Sequence, residues 1–156
     1  MIICIDVGNT RTKVAVYENS TLQQLIITNN EKLIKNISKQ IQGIENCVDI
    51  ILSSVGNLSV ETIDKLKTLG NLITVTHESL IPFKNLYSTP TTLGIDRIVL
   101  AAGATLKYPN QNRLVIDAGT CITYDFINSS DQYHGGAISP GIGLRYKSLN
   151  DYTANL

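Results

Sequence analysis

The stretch IICIDVGNTRTKVAVY, from Ile2 to Tyr17, decides the fold, and a close copy, RLVIDAGTCITYDF, runs from Arg113 to Phe126. Each stretch is a β-branched apolar run that ends in an aspartate, followed by a small residue, a glycine and a threonine, and then by a second strand-like run. This order predicts a strand, a turn and a second strand, with a carboxylate close to the turn. The chain therefore uses one kind of hairpin twice.

The chemistry of these turns suits a phosphate. Glycine lets backbone N–H groups approach an anion, threonine adds a hydroxyl donor, and an aspartate can hold the metal ion that accompanies a phosphate. Two such turns that face each other would clamp a nucleoside triphosphate. Taken alone, the first turn could also be a tight hairpin without a ligand, but its repetition favours the clamp.

Composition and charge narrow the classes of partner. The chain of 156 residues is 43% hydrophobic and 17% charged, as is usual for a soluble globular protein. Its 13 basic and 13 acidic residues cancel, so we expect no nucleic-acid partner. No apolar run approaches the roughly 20 residues that span a bilayer, and the N-terminus lacks the features of a signal peptide. We therefore expect a cytoplasmic protein with no membrane partner.

The order of predicted elements identifies the fold class. Three strands open the chain, and Asn30 is expected to cap the first helix, with Gly43 ending it. A buried strand, a helix over residues 59–69 and a further strand follow. The resulting order β-β-β-α-β-α-β, which begins again after Arg113, is that of the RNase H-like (actin-like ATPase) fold. We expect an α/β protein with a mixed sheet and flanking helices.

The same order predicts the domains. A first RNase H-like domain is expected over residues 1–112, and the start of a second over residues 113–156, with a hinge at Tyr108-Pro-Asn-Gln-Asn112. The residues after the hinge are too few to close a second sheet. We therefore expect the second RNase H-like domain to be incomplete and the chain to be truncated after Leu156.

Four motifs in order along the chain resemble those of type III pantothenate kinase, a member of the acetate/sugar kinase, heat-shock chaperone and actin superfamily. They are Asp6-Val-Gly-Asn-Thr-Arg-Thr-Lys13, then Tyr87 followed by Pro90 and Gly94-Ile-Asp-Arg97, then Asp117-Ala-Gly-Thr-Cys-Ile-Thr123, and Gly135-Gly-Ala-Ile-Ser-Pro-Gly-Ile-Gly143. The resemblance implies transfer of the ATP γ-phosphoryl group to the primary hydroxyl of pantothenate, the first step of coenzyme A biosynthesis. It also implies a homodimer that uses Mg²⁺ with ATP and a monovalent cation, K⁺ or NH₄⁺.

The first motif is implied to bind the phosphates of ATP. Its residues are Asp6, Val7, Gly8, Asn9, Thr10, Arg11, Thr12 and Lys13. The residue chemistry agrees, because Gly8 and Thr10 can donate backbone N–H groups and Lys13 offsets phosphate charge. Asp6 can hold Mg²⁺ through water, since that ion dehydrates reluctantly.

In the second hairpin, the resemblance makes Asp117 a ligand of the monovalent cation and turns Thr120 toward the γ-phosphate. The alternative interpretations are structural: an aspartate that stabilises the turn and an ordinary strand threonine.

Asp96 is implied to be the catalytic base, because phosphoryl transfer needs one carboxylate that orients the acceptor hydroxyl and takes its proton. The alternative is an N-cap for a helix that begins near Arg97. The residues implied to bind pantothenate are Tyr87, Gly94, Ile95, Asp96 and Arg97. The guanidinium of Arg97 is a fork donor suited to the substrate carboxylate.

Two other functions remain open from the sequence. One is a nucleotide-binding regulatory or accessory protein of the same fold without kinase turnover. The other is a metal-dependent nuclease, which would need Asp6, Asp96 and Asp117 to converge on metal ions.

Overall fold

The computed structural model describes residues 1–44, 47–56 and 58–154. It divides into two compact units, Met1–Ser79 and Leu80–Leu156, which we call unit 1 and unit 2. This division by compactness falls earlier in the chain than residue 112, where the sequence suggested a boundary between domains. The two repeated domains expected from the sequence stay a prediction.

Unit 1 has the β-β-β-α-β-α-β order expected from the sequence. Its described elements are the strands β1 (Ile2–Val7), β2 (Thr12–Glu18), β3 (Thr21–Thr28), β4 (Asp49–Ser54) and β5 (Asn71–Thr74), and the helices α1 (Asn30–Ile41) and α2 (Val60–Leu69). The sheet order is β3-β2-β1-β4-β5. The first three strands pair antiparallel, while β1, β4 and β5 run parallel. This mixed sheet with its helices confirms the RNase H-like fold class.

An aliphatic core holds unit 1 together. In β1 every second side chain, Ile3, Ile5 and Val7, is buried, as expected for a strand with one face on the core. In α1, Leu33 and Ile37 are four residues apart, so both lie on one helix face and pack into the same core. The hydrophobic period of the sequence thus fixes which faces of the sheet and helix meet.

The start of α1 differs by one residue from the sequence expectation. The N-cap is Asn29, whose side-chain oxygen accepts a hydrogen bond from the backbone N–H of Lys32 at 3.1 Å. Asn30, which we predicted as the cap, instead accepts a hydrogen bond from the hydroxyl of Thr12 at 2.7 Å. The prediction was wrong because two adjacent asparagines offer the same cap chemistry, and only the contact with β2 distinguishes them.

Unit 2 is built on a second sheet. Its described elements are the strands β6 (Lys84–Asn85), β7 (Arg113–Ala118), β8 (Cys121–Ile127) and β9 (Gln132–Pro140), the helices α3 (Ile95–Lys107) and α4 (Ile142–Tyr152), and a 3₁₀ turn at Pro90–Thr92. The sheet order is β6-β9-β8-β7, with β6 parallel to β9 and the other pairs antiparallel. In the described part of the chain, no helix has both the length and the apolar character needed to cross a bilayer.

The core of unit 2 mixes aromatic and aliphatic side chains with charge. Its buried apolar residues are Phe83, Leu93, Ile98, Ala101, Ile127 and Tyr133. Arg97, Arg113 and Asp125 are buried as well, at 6%, 5% and 1% exposure. Buried charges are costly unless they are paired, so each of these three side chains needs a partner within unit 2.

Candidate active site

The first hairpin joins β1 to β2 through residues 8–11. The N–H of Gly8 donates to the carbonyl oxygen of Arg11 at 3.1 Å and closes the turn. A Cβ atom at Gly8 would lie only 3.2 Å from that oxygen, so glycine fits the turn with the least strain. The tip of the turn is exposed, and with the start of α1 it lines an open crevice formed by Gly8–Thr12 and Asn29–Glu31. The expected phosphate-binding loop is therefore accessible within unit 1.

Asp6 and Lys13 are cross-strand partners at the base of this turn. The Lys13 Nζ lies 3.6 Å from Asp6 Oδ2, and the two side chains are 53% and 45% exposed. Ion pairs this exposed are weak, so the contact with Lys13 contributes little to holding Asp6 in place. The side chains of Val7 and Thr12 are buried, so any contact of these two residues with a phosphate would use the backbone.

The second hairpin is tighter, because Gly119 and Thr120 alone connect β7 to β8. The N–H of Gly119 donates to the carbonyl of Cys121 at 2.9 Å. At the end of β9, the N–H of Gly141 donates to the carbonyl of Thr120, also at 2.9 Å. A Cβ atom at Gly141 would come within 2.6 Å of that carbonyl oxygen, so glycine is what allows the chain after β9 to approach the turn.

Asp117 lies directly opposite Thr123 in the β7–β8 pair. Residues opposite each other in an antiparallel pair share one face of the sheet, with Cβ atoms about 5 Å apart. The Thr123 hydroxyl is buried and has no hydrogen-bond partner among residues 1–44, 47–56 and 58–154. A carboxylate beside an unsatisfied oxygen is a donor set that suits a hard cation, so these residues fit the expected cation ligand.

Two polar contacts fix the direction of α3, which packs on β7 and β8. Near the C-terminal end of the helix, Arg113 Nη1 donates to the carbonyl of Thr105 at 3.3 Å. Near its N-terminal end, Arg97 binds Asp125. Arg113 is the first residue of β7 and pairs with Ile127, whereas Asp125 is closer to the β7–β8 turn. The first turn of α3 therefore lies toward that turn.

Asp96 sits in this first helical turn and is half-buried. Its Oδ1 accepts a hydrogen bond from the backbone N–H of Arg97 at 2.8 Å. A Cβ atom at Gly94 would collide with the same oxygen, so glycine makes room for this carboxylate. The helix begins at Ile95 with Gly94 as its N-cap, so the alternative interpretation of Asp96 as an N-cap was wrong. Asp96 and Asp117 therefore both lie at the end of unit 2 that carries the β7–β8 turn.

Arg97 is bound by a partner that the sequence analysis missed. Its Nε and Nη2 donate to Asp125 Oδ1 at 2.9 and 2.5 Å, and the Tyr133 hydroxyl donates to the same oxygen at 2.5 Å. The Tyr87 ring lies beside the guanidinium, with its centroid 5.8 Å from Arg97 Cζ. These contacts bring Tyr87 and Arg97 together, but two guanidinium nitrogens already bind Asp125. Binding of a substrate carboxylate by Arg97 stays a prediction.

Burial and charge set the protonation of this cluster. Burial alone would lower the pKa of Arg97, but the hydrogen bonds to Asp125 and the negative charge of that carboxylate together outweigh burial, so the pKa lies above its ordinary value. Burial, and then the hydrogen bond to Asp125, raise the pKa of Tyr133 far above its ordinary value. Arg97 therefore stays charged and Tyr133 stays a neutral donor at any physiological pH.

The predicted site residues are divided between the units. The phosphate-loop residues belong to unit 1, while Tyr87, residues 94–97, Asp117 and Thr120 belong to unit 2. The clamp in which the two hairpins face each other stays a prediction. Among the described residues, no three His, Cys, Asp or Glu side chains form a group that could hold a metal ion.

The sequence has clear relatives. Residues 2–156 match the family model of type III pantothenate kinase. The type III pantothenate kinase of Flavobacterium johnsoniae is 52% identical over 156 residues, and that of Flavobacterium psychrophilum is 46% identical over 160 residues. Both alignments cover all of this chain but only 64% and 65% of the relatives. The chain thus spans just under two thirds of the length of the curated relatives that it matches.

A solved structure supports the fold independently. A conserved protein from Campylobacter jejuni, named as a Baf family transcriptional activator, is 24% identical with a TM-score of 0.60. The match covers 99% of this chain and 62% of that one, and it bears on the fold alone. The family model and the two Flavobacterium relatives bear on the lineage, and the chain belongs to the type III pantothenate kinase family.

Proposed function

We propose that the full-length protein transfers the γ-phosphoryl group of ATP to the primary hydroxyl of pantothenate, the first step of coenzyme A biosynthesis. Membership of the family supports the reaction class. The observation that carries the proposal is the Asp96 carboxylate, which is half-buried in the first turn of α3 and held by one backbone N–H. Only Oδ1 accepts that hydrogen bond, and a carboxylate has two oxygens, so Oδ2 can accept a proton from an alcohol.

In this mechanism Asp96 orients the pantothenate hydroxyl and takes its proton. The hydroxyl oxygen attacks the γ-phosphorus as the bond to the β–γ bridging oxygen breaks, and the bridging oxygen leaves with ADP. The proton stays on Asp96 until solvent takes it. Little covalent chemistry falls to the protein in such a transfer, so positioning and neutralisation of charge carry most of the catalysis.

The phosphate groups would be held by the first hairpin. Lys13 would offset phosphate charge, and backbone N–H groups at the tip of the turn, residues 9–11, would approach the phosphate oxygens. Asp6 would hold Mg²⁺ through water, and Asp117 with Thr123 would hold K⁺ or NH₄⁺, where each cation neutralises phosphate charge. Thr120 would face the γ-phosphate from the second hairpin. We also infer a cytoplasmic homodimer that binds neither nucleic acid nor membrane.

The test is Asp96→Asn in the full-length protein, assayed for ATP-dependent phosphorylation of pantothenate. We expect kcat to fall roughly 10²- to 10⁴-fold, because a positioned general base contributes about that factor. The dissociation constant of a non-hydrolysable ATP analogue should change by less than about threefold, because Asp96 acts on the acceptor and not on ATP. Loss of a hydrogen bond to ATP would weaken binding by more than that.

Asp64→Asn is the matched control, because Asp64 is an exposed helical aspartate of α2 that pairs with Lys67. It should leave kcat unchanged. Full activity of Asp96→Asn would overturn the assignment of the base. An unmodified protein that binds ATP but does not phosphorylate pantothenate would instead favour a regulatory or accessory role, and nucleic-acid cleavage insensitive to Asp96→Asn would favour a nuclease.

A further inference from the structure

Asp125 is the most buried ionised side chain in the described part of the chain, at 1% exposure. It lies within β8 and accepts hydrogen bonds from three donors, namely Nε and Nη2 of Arg97 and the hydroxyl of Tyr133. Arg97 and Tyr133 are themselves 6% and 0% exposed. A carboxylate of this kind, fully satisfied and closed off from solvent, has no access to substrate and is not a reacting group.

What this carboxylate holds is the side chain next to the proposed base. Arg97 follows Asp96 directly, and the Arg97 N–H is the donor that binds the Asp96 carboxylate. Fixing the Arg97 guanidinium on β8 therefore also fixes the peptide that orients Asp96. The connection runs through one residue, so a shift of Arg97 moves the base.

The same network holds Tyr87. Its ring packs beside Arg97 and lies 6.4 Å from the ring of Tyr133, centroid to centroid. On another side it meets Gly135, where an added Cβ atom would stand 2.8 Å from Tyr87 Cδ2. Gly135 also has φ of +91°, a conformation that a side chain would strain. The Tyr87 ring thus occupies a slot whose walls include Arg97, Tyr133 and the backbone of β9.

Stability alone is a weak reason for a buried ion pair, because well-packed apolar side chains of similar size often stabilise a core as well or better. A charged pair does give direction, since the guanidinium fork and the carboxylate fix each other's orientation. Satisfied polar networks also select one arrangement of a core. The value of this pair lies in where it places its neighbours.

We infer that Asp125 and Tyr133 are positioning residues for phosphoryl transfer, which act by holding Arg97 so that Asp96 and Tyr87 are presented to the acceptor substrate. This inference rests on the proposed function, because it concerns the residues assigned to the acceptor. Neither residue touches substrate. Their effect should appear mainly in turnover and in the acceptor KM and much less in the binding of ATP, because the residues of the proposed first phosphate loop belong to unit 1.

The experiment compares two variants of the network with two matched controls in the full-length protein. Tyr133→Phe removes one hydroxyl, and Asp125→Asn removes one charge. Tyr124→Phe is the control for the first, since Tyr124 lies on β8 with its side chain on the opposite face from Asp125. Asp131→Asn is the control for the second, because Asp131 pairs with the buried Arg113 in the same unit but away from α3's first turn.

We expect Asp125→Asn to lower kcat roughly 10- to 100-fold, because it removes the charge from the hydrogen bonds to Arg97. Tyr133→Phe should lower kcat about 3- to 10-fold, because it removes one hydrogen bond from an uncharged donor. The KM for ATP should be unchanged in both, and both controls should keep kcat within about twofold, below the cost of one hydrogen bond. Wild-type kcat in Tyr133→Phe and in any folded Asp125→Asn would overturn the inference, even if their melting temperatures fall. Because Tyr133→Phe loses a single atom, it decides the matter if Asp125→Asn does not fold.

Hydrogen exchange separates this inference from the proposed function. The amides of residues 94–98 should exchange faster in Tyr133→Phe than in Tyr124→Phe, whatever substrate the protein uses. A protein without pantothenate turnover but with this exchange pattern would reject the proposed function and show only that Tyr133 orders the first turn of α3. Equal exchange in the two variants would reject the positioning role.

Discussion

The interiors of the two units differ in kind. The buried cluster of unit 1 is entirely aliphatic and comes from β1, β2, β4, α1 and α2 with Val48. Unit 2 surrounds a smaller apolar cluster with buried Arg97, Arg113 and Asp125. An aliphatic core sets faces and spacing but tolerates exchanges of similar volume, whereas charged networks fix single orientations. Unit 2, which carries the proposed base, thus has a core whose charged pairs fix the orientation of individual side chains.

The largest stability effect should come from breaking a charge pair in unit 2. Arg97→Leu leaves the Asp125 carboxylate buried without its cation, and we expect a loss of about 3–5 kcal/mol in the free energy of unfolding. Urea denaturation of the full-length protein would measure it. Adding Asp125→Leu to this variant should restore much of the loss, because a paired apolar replacement removes the uncompensated charge.

Arg145→Leu is the control for that experiment. Arg145 lies on α4 with an exposed hydrogen bond to the carbonyl of Pro140, so its loss should change stability by less than about 0.5 kcal/mol. A double variant no more stable than Arg97→Leu alone would contradict the comparison, since it would mean that shape and not charge dominates this part of unit 2.

The next effect concerns the aliphatic core of unit 1. Ile37 is fully buried on α1, and Ile37→Ala should cost about 2–5 kcal/mol through lost burial and the cavity left behind. Ile37→Val should cost only about 0.5–1.5 kcal/mol, because most of the volume remains. Thermal unfolding of both variants gives the ratio. Similar losses of stability for Ala and Val would mean that side-chain shape, and not volume, decides stability at this position. The proposed difference between the cores of the two units would then be wrong.

The smallest effect is at the helix starts, where the two units also differ. Asn29 caps α1 with its side chain, whereas α3 begins at Gly94 without a side-chain cap. Asn29→Ala should cost about 1 kcal/mol, as is usual for removal of an N-cap. Gln40→Ala on the same helix serves as the control in chemical denaturation. An unchanged midpoint for Asn29→Ala would show that the first turn of α1 is held by other contacts.

The features predicted well from the sequence are those set by local physics. Apolar, β-branched runs predicted β1, β2 and β4, and α2 lies between Ser59 as N-cap and Gly70 as C-cap, close to the predicted helix over residues 59–69. The order of these elements was enough to predict the mixed sheet. Local patterns succeed here because the aliphatic core of unit 1 is set by side-chain period and volume.

The features that were missed depend on contacts between distant residues. Arg97 and Asp125 are 28 positions apart, and no local pattern pairs them. One signal was available, because Asp125 stands in phase with Val115 and Ile127 on the inward face of the β7–β8 hairpin, where an unpaired carboxylate would be costly. That phase indicates a buried partner but not its identity. Whether the hairpins of the two units share one ligand is likewise beyond any single stretch of sequence.

The slot beside Gly135 constrains how this lineage can drift. Any larger residue at position 135 meets both a strained backbone and the ring of Tyr87, so trimming the ring relieves only one of the two obstacles. We therefore expect a substitution of Gly135 to be only partly rescued by a smaller residue at position 87. In a library of variants at both positions, substitutions of Gly135 should be tolerated less often than substitutions of Tyr87, which is asymmetric epistasis between the two positions.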